Sequence, residues 1–194
     1  MPTLLLASSS PYRRALLTRL GLEFNWEAPD IDESQRENET ADSLVTRLSL
    51  AKAKALAGSH PNSLIIGSDQ VAVLDNRILG KPHTHERARI QLQNASGRQV
   101  LFKTGLCLLN SATGKSQVAV VDFSVFFREL SNAQIDAYLN REKPYDCAGS
   151  FKAEGLGICL FSKLCGDDPN SLIGLPLITL TKMLASEDVD PLFP

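Results

Sequence analysis

Leu64-Ile65-Ile66-Gly67-Ser68-Asp69-Gln70-Val71-Ala72-Val73-Leu74 is the stretch that decides the fold. Its two apolar runs read as one strand of the core, yet a carboxylate, Asp69, is threaded through the middle. A desolvated carboxylate needs a lysine, a metal or hydrogen-bond donors, and such groups concentrate at functional sites. The plainer alternative is a structural aspartate accepting backbone N–H bonds at a strand end or bulge.

Upstream, strands and helices alternate. Thr3 to Ala7 reads as a short buried strand, followed by the polar loop Ser8-Ser9-Ser10. Ser10-Pro11 supplies an N-cap and a proline at the first helical position. That helix runs to Leu20 on Ala15, Leu16, Leu17 and Leu20, and Gly21 stops it. Phe24-Asn25-Trp26 suggests a strand leading to the acidic loop Asp30-Ile31-Asp32-Glu33, and a second helix spans Thr40 to Gly58. At about 100° per residue, Leu44, Val45, Leu48, Ala51, Ala55 and Leu56 form one apolar stripe. Lys52 falls inside the stripe and Lys54 outside it. Burying an ammonium is costly unless it is paired, so Lys52 either faces a carboxylate or phosphate, or snorkels to water.

Downstream, Asp75-Asn76-Arg77 reads as a turn and Gly80-Lys81-Pro82 as a break. A helix over Glu86 to Asn94 ends at Ser96-Gly97. Val100 to Leu109 and Val118 to Phe127 are strands joined by a turn over Asn110 to Lys115. Ser131 with Gln134 makes a capping box for a helix carrying Ile135, Tyr138 and Leu139. A glycine-studded loop from Cys147 to Gly157 precedes a strand over Ile158 to Phe161. Gly174-Leu175-Pro176 opens a last helix on Ile178, Thr181, Met183 and Leu184. Early alternation followed by hairpins indicates an α/β fold with a mixed sheet.

Composition narrows the function. The 194 residues suffice for one domain, or two lobes sharing a sheet. At 43% apolar and 22% charged residues the usage is that of an ordinary globular chain. A net charge of -2 argues against a broad nucleic-acid surface. No apolar run reaches membrane-span length, and Met1-Pro2-Thr3 leads into Leu4-Leu5-Leu6 without the n- and h-regions of a signal peptide. The cysteines Cys107, Cys147, Cys159 and Cys165 match no C-x-x-C pattern and read as buried or half-buried free thiols of a reducing cytosol. His83 and His85 read as a solvated loop pair without a third zinc ligand.

The first helix turn carries Arg13 and Arg14 beside seryl hydroxyls and free N–H groups, a set that suits a phosphate. Read alone, the two arginines serve equally well as solvated surface. Asp32-Glu33 offers a second acidic cluster for a hard cation, and magnesium favours one or two carboxylates plus substrate phosphates. The segment Ala148-Gly149-Ser150-Phe151-Lys152-Ala153-Glu154-Gly155 has the mixture of a ligand-lining loop, but there is no P-loop, no Rossmann fingerprint and no nucleophile elbow. The residues by themselves lead to a phosphate-ester enzyme of α/β class.

In series, these segments resemble the Maf-type nucleoside triphosphate pyrophosphatases. The matching pieces are Leu6-Ala7-Ser8-Ser9-Ser10-Pro11 with Arg13-Arg14, Asp32-Glu33, Ala51-Lys52-Ala53, Gly67-Ser68-Asp69, Gly80-Lys81-Pro82, Thr104-Gly105, Ala148-Gly149-Ser150-Phe151, and Asn170 with Gly174-Leu175-Pro176-Leu177. The resemblance implies a single domain over residues 1–194 with a two-lobed, twisted mixed sheet flanked by helices. An active-site cleft between the lobes would make it Maf or inosine triphosphatase-like. It also implies a divalent metal (Mg or Mn), a cytoplasmic location, a nucleotide substrate, no nucleic-acid or membrane partner, and often a homodimer.

Carried onto this sequence, the resemblance makes Asp69 the proton acceptor for water, with Glu33 helping it hold the metal. Lys52 and Lys81 join the catalytic set, and Ser8, Ser10 and Arg13 bind the triphosphate. The base-specificity positions are Tyr12, Gln70 and Glu154, a set similar to the branch acting on 7-methylguanosine triphosphate rather than on thymidine and uridine triphosphates. A cationic methylated purine favours an aromatic face, and a carboxylate can accept from the guanine edge. Tyr12 stands where that branch carries tryptophan, which weakens stacking. Another nucleotide substrate, or a non-catalytic nucleotide-binding regulator of cell division, are the alternatives.

Overall fold

The computed structural model describes residues 2–193. The elements run in the order β1 (Thr3–Ala7), α1 (Pro11–Thr18), β2 (Asn25–Glu27), α2 (Ala41–Ala57), β3 (Ser63–Leu74), β4 (Arg77–Leu79), α3 (His85–Ala95), β5 (Gln99–Asn110), β6 (Ser116–Phe127), α4 (Asn132–Glu142), β7 (Phe161–Cys165), α5 (Pro169–Ile173) and α6 (Leu177–Ala185). Strand order is β2-β1-β3-β5-β6-β7, with β4 on β3. β1 pairs in parallel with β2 and β3, whereas β3–β4 and β6–β7 are antiparallel, so the sheet is mixed as expected. The chain divides into two compact units, Met1–Asp69 with Thr104–Val121 and Asp168–Pro194, and Gln70–Lys103 with Asp122–Asp167.

In the first unit, β1 is apolar and buried from Leu4 to Ala7 because both of its faces are covered there. Leu4 and Leu6 join Leu16 and Leu17 of α1 and Leu180 and Leu184 of α6 in one core layer. Leu5 and Ala7 join Ala53 and Leu56 of α2 in the other. Ser10 caps α1 by accepting from the Arg13 N–H at 3.3 Å, and Thr40 caps α2 through the Ser43 N–H at 3.2 Å. The second unit is held by edge-to-face rings, with Phe151 5.2 Å from Phe102, 5.7 Å from Phe127 and 4.7 Å from Phe161. The Ser131–Gln134 capping box of α4 is present in both directions, and Ile135, Tyr138 and Leu139 are buried.

Several expectations need correction. The strand placed over 158–161 is a 3-10 turn, Leu156–Leu160, and β7 begins only at Phe161. Gly157 folds back so tightly that a Cβ there would lie 2.3 Å from the Lys152 carbonyl oxygen, and extended backbone cannot follow that reversal. β4 was not anticipated; Asp75 and Asn76 both adopt positive φ, the geometry that closes a two-residue hairpin. Nor was α5, although Asp168-Pro169 is a cap followed by proline at N1. On α2 the buried face contains Ser49 and Ala53, while Ala55 is exposed. On α6 Met183 and Leu184 are buried as expected, together with Leu177 and Leu180, whereas Ile178 is exposed. All four thiols are free, but Cys159 and Cys165 are exposed rather than buried. His85 opens α3 rather than lying in a loop, and its Nδ1 is 3.0 Å from the Tyr145 hydroxyl.

Candidate active site

The turn out of β1 is built by serines. The Ser10 N–H donates to Ser8 Oγ at 3.1 Å, and Arg13 reaches that same oxygen through Nη1 at 3.4 Å. Arg13 Nε donates to the Gly174 carbonyl at 2.7 Å, so the guanidinium is fixed by two separate chain segments. Burial pushes the Arg13 pKa below its ordinary value, with the negative charges of Asp69 and Glu33 opposing that shift. The companion arginine is different: Arg14 lies 4.1 Å over the Trp26 ring, a stacking contact at the surface.

The centre of the site is the carboxylate carried by β3. Asp69 is 8% exposed and Lys52 only 5%, and Lys52 Nζ donates to Asp69 Oδ1 at 2.7 Å. Glu33 Oε1 approaches the same ammonium at 3.0 Å from a side chain that is 53% exposed. The lysine that interrupts the apolar stripe of α2 is thus paired, not snorkelled.

Two glycines make this reach possible. A Cβ on Gly67 would sit 2.0 Å from the Ser49 carbonyl oxygen, and one on Gly105 would sit 2.2 Å from that of Val45. Val45 and Ser49 are one turn apart on α2, and β3 and β5 are neighbours. The helix backbone therefore lies directly on the sheet. Ser68, between Gly67 and Asp69, puts its buried hydroxyl 2.9 Å from the Gly105 carbonyl and 3.0 Å from that of Gly174. Gly174, at φ 116, uses a conformation that other residues rarely adopt.

The Glu33 loop is pinned onto α2 by Arg47. Its Nε and Nη2 grip Glu39 at 2.6 and 2.8 Å, and Nη2 also donates to the Ser34 carbonyl at 2.9 Å. The bond from Arg47, joined by the Arg36 N–H, lowers the Glu39 pKa to about 2. Asp32 does not reach the lysine in this arrangement; its Oδ1 accepts the Ser34 N–H at 2.9 Å. Asp168 anchors the segment that carries Gly174. Almost fully buried, it accepts from the Asn170 N–H and side-chain amide, both at 2.9 Å, and from the Ile178 N–H at 2.7 Å. Arg47, Glu39, Ser68 and Asp168 escaped the sequence reading. Asp168 had a readable signal in Asp-Pro, but the Arg47–Glu39 pair did not.

Tyr12 is half-buried in the first turn of α1. Gln70, Lys81 and Glu154 belong to the second unit. Lys81 and Glu154 are exposed there, with Pro82 buried beside the lysine and the His83 N–H donating to the Tyr145 carbonyl at 2.9 Å. Among the described residues, no group of three or more His, Cys, Asp or Glu side chains is gathered to hold a metal. No described helix is long and apolar enough to cross a membrane.

A strand-borne buried carboxylate, a paired lysine and an arginine-serine turn thus come together on a mixed α/β sheet. The family model described as "Maf-like protein" matches residues 3–187, and the chain belongs to this family. A protein of Pseudomonas savastanoi named 7-methyl-GTP pyrophosphatase is 65% identical, over 97% of this chain and 98% of its own. Proteins of the same name from Pseudomonas aeruginosa and Alcanivorax borkumensis are 62% and 61% identical, covering 98% and 97% of this chain and 99% and 95% of theirs.

Proposed function

We propose that this chain hydrolyses a nucleoside triphosphate to the monophosphate and pyrophosphate, with 7-methyl-GTP as its substrate. The observation that carries the reading is the buried Lys52 ammonium held between Asp69 at 2.7 Å and Glu33 at 3.0 Å, with Arg13 fixed by the serine turn and Gly174. Relatives at 61–65% identity with that name over nearly their whole length support the choice of substrate.

In this reading water adds to the α-phosphorus, the bridging α–β P–O bond breaks, and pyrophosphate leaves with the electron pair. Asp69 takes the proton from the water. Oδ1 faces Lys52, so Oδ2 is the oxygen assigned to that task. Ser8, Ser10, Arg13, Lys52 and Lys81 neutralise and orient the phosphates, which is most of what phosphoryl transfer asks of a protein. Asp69 and Glu33 both meet the Lys52 ammonium, and as hard oxygen donors beside the phosphates they are the residues that would hold Mg or Mn, which binds through one or two carboxylates together with water and phosphate oxygens. Such an ion would supply charge neutralisation at the phosphates. The base is assigned to Tyr12 as the aromatic face for a cationic purine, to Gln70, and to Glu154 as acceptor for the guanine edge. A cytoplasmic location is consistent with four free thiols, two of them exposed.

The test is a panel of nucleoside triphosphates with released pyrophosphate measured, with and without Mg or Mn. Metal-dependent turnover highest on 7-methyl-GTP is expected. A clear preference for thymidine or uridine triphosphate would overturn the base assignment, and absence of pyrophosphate from every nucleotide would overturn the enzyme.

A further inference from the structure

Glu154 stands at the apex of a short loop in the second unit, and the loop is fastened to α4 on both sides of it. Two residues before it, the Lys152 N–H donates to the Tyr138 hydroxyl at 3.0 Å. Two residues after it, the Leu156 N–H donates to Glu142 Oε1 at 3.1 Å. Gly155 opens the 3-10 turn that follows and has no side chain with which to cap it. The Glu142 carboxylate supplies that cap from outside, packed so closely that a Cβ on Gly155 would lie 3.1 Å from Oε2. Lys152 sends its ammonium to the Glu142 carbonyl at 3.0 Å, at the α4 C-terminus where the helix dipole favours a cation. The loop then closes on itself through the Gly155 N–H to the Lys152 carbonyl at 3.3 Å. Tyr138 and Glu142, one helical turn apart, present both acceptors from the same face of α4.

We propose that Tyr138 and Glu142 are positioning residues for base selectivity, holding the 152–156 loop so that Glu154 is presented in one place before substrate arrives. The inference rests on the assignment of Glu154 to the base. Lys152 serves the same purpose, since its charge is committed to the helix end. A carboxylate on an unpinned loop would have to be ordered at the moment of binding, and that entropy would be taken from the selectivity.

The readout is the ratio of kcat/KM for 7-methyl-GTP over ATP, whose base lacks the N1–H and 2-amine donors that Glu154 accepts from, measured by pyrophosphate release. Glu154→Gln is expected to lower the ratio about tenfold or more, because it replaces one acceptor of the guanine edge by a donor. Glu142→Ala is expected to lower it to a similar extent, mainly through KM, whereas Glu142→Gln keeps it, because the amide oxygen still accepts the Leu156 N–H. Tyr138→Phe should lose part of it. The double variant Glu142→Ala/Glu154→Gln should be no worse than the poorer single, as for groups acting as a unit. A wild-type ratio in Glu142→Ala or Tyr138→Phe, alongside a collapsed ratio in Glu154→Gln, overturns the proposal, as do losses that multiply in the double variant. An unchanged ratio in Glu154→Gln overturns the base assignment itself and this inference with it. If Glu142→Ala does not fold, Tyr138→Phe decides: a lowered ratio supports the pinned loop and a wild-type ratio refutes it.

Discussion

The carbonyl oxygen of Ser49 lies directly over the Cα of Gly67, where a side-chain carbon would come within 2.0 Å of it. That contact brings α2 down onto β3 and sets the height from which Lys52, one turn further along the helix, meets Asp69, two residues further along the strand. Neither residue of the contact is charged, yet the ion pair depends on it.

Gly67→Ala or Gly105→Ala should therefore damage both stability and turnover. Overpacking of this kind costs about 1–3 kcal/mol, and here the obstacle is backbone that cannot turn aside. Urea midpoints should fall and kcat should fall with them as Lys52 is lifted away. Gly58→Ala is the control: nothing lies within 4 Å of the added carbon and its φ is -71, so the change should stabilise by about 0.4–1 kcal/mol. Equal behaviour of Gly58→Ala and Gly67→Ala would dismiss the seat.

Asp69→Asn should leave a folded protein without hydrolysis. Glu33 remains beside the Lys52 ammonium at 3.0 Å, so the buried cation keeps a partner. Loss of a general base costs about 10²–10⁴ in rate. Circular dichroism and single-turnover pyrophosphate release separate folding from chemistry, and near-normal release by the variant would remove Asp69 from the mechanism.

The Arg47–Glu39 clasp makes an acid-sensitive contribution to stability. Glu39 titrates at about 2 when folded against an ordinary value of 4.5. A depressed folded pKa gives stabilisation that is complete above the unfolded value and fades as pH falls from about 5 toward 2. The Glu39 side chain is 8% exposed and that of Arg47 20%, so the pair is partly buried and salt screens it only in part. Urea midpoints of wild type and Glu39→Gln should converge as pH falls through that window; a constant gap between them would show that the clasp contributes nothing through ionisation.

Asp168→Ala should destabilise and also weaken substrate binding. The buried carboxylate satisfies N–H groups at the starts of both α5 and α6, and removal of a single N-cap costs about 0.5–2 kcal/mol. Because the same segment carries the Gly174 carbonyl that holds Arg13, KM should rise more than kcat falls. Stability loss with KM unchanged would separate the cap from the site.

Much of this architecture could be read directly from the chain. Ser10-Pro11, Thr40 and Ser131 mark their helices because capping is a local hydrogen bond between near neighbours. Asp69 and Lys52 stood out because each is an ionised group in an apolar pattern, and burial makes such a group costly unless it is paired. The run Ile158 to Phe161 reads as a strand but is mostly a 3-10 turn, because an apolar run of strand length is compatible with both, and only the approach of Gly157 to Lys152 decides between them.

Sequence by itself determined the periodic elements, the caps, and the presence of ionised groups in the core, since all of these follow from steric and solvation rules acting within a few residues. Only the tertiary structure decided which charges meet. It joined Lys52 to both Asp69 and Glu33, Arg13 to Gly174, and Arg47 to Glu39, and it tied Lys152 to a helix end. Those pairings depend on how closely α2 approaches the sheet and how a loop folds back on α4. Such distances are set by packing between segments far apart in the chain, and no local pattern encodes them.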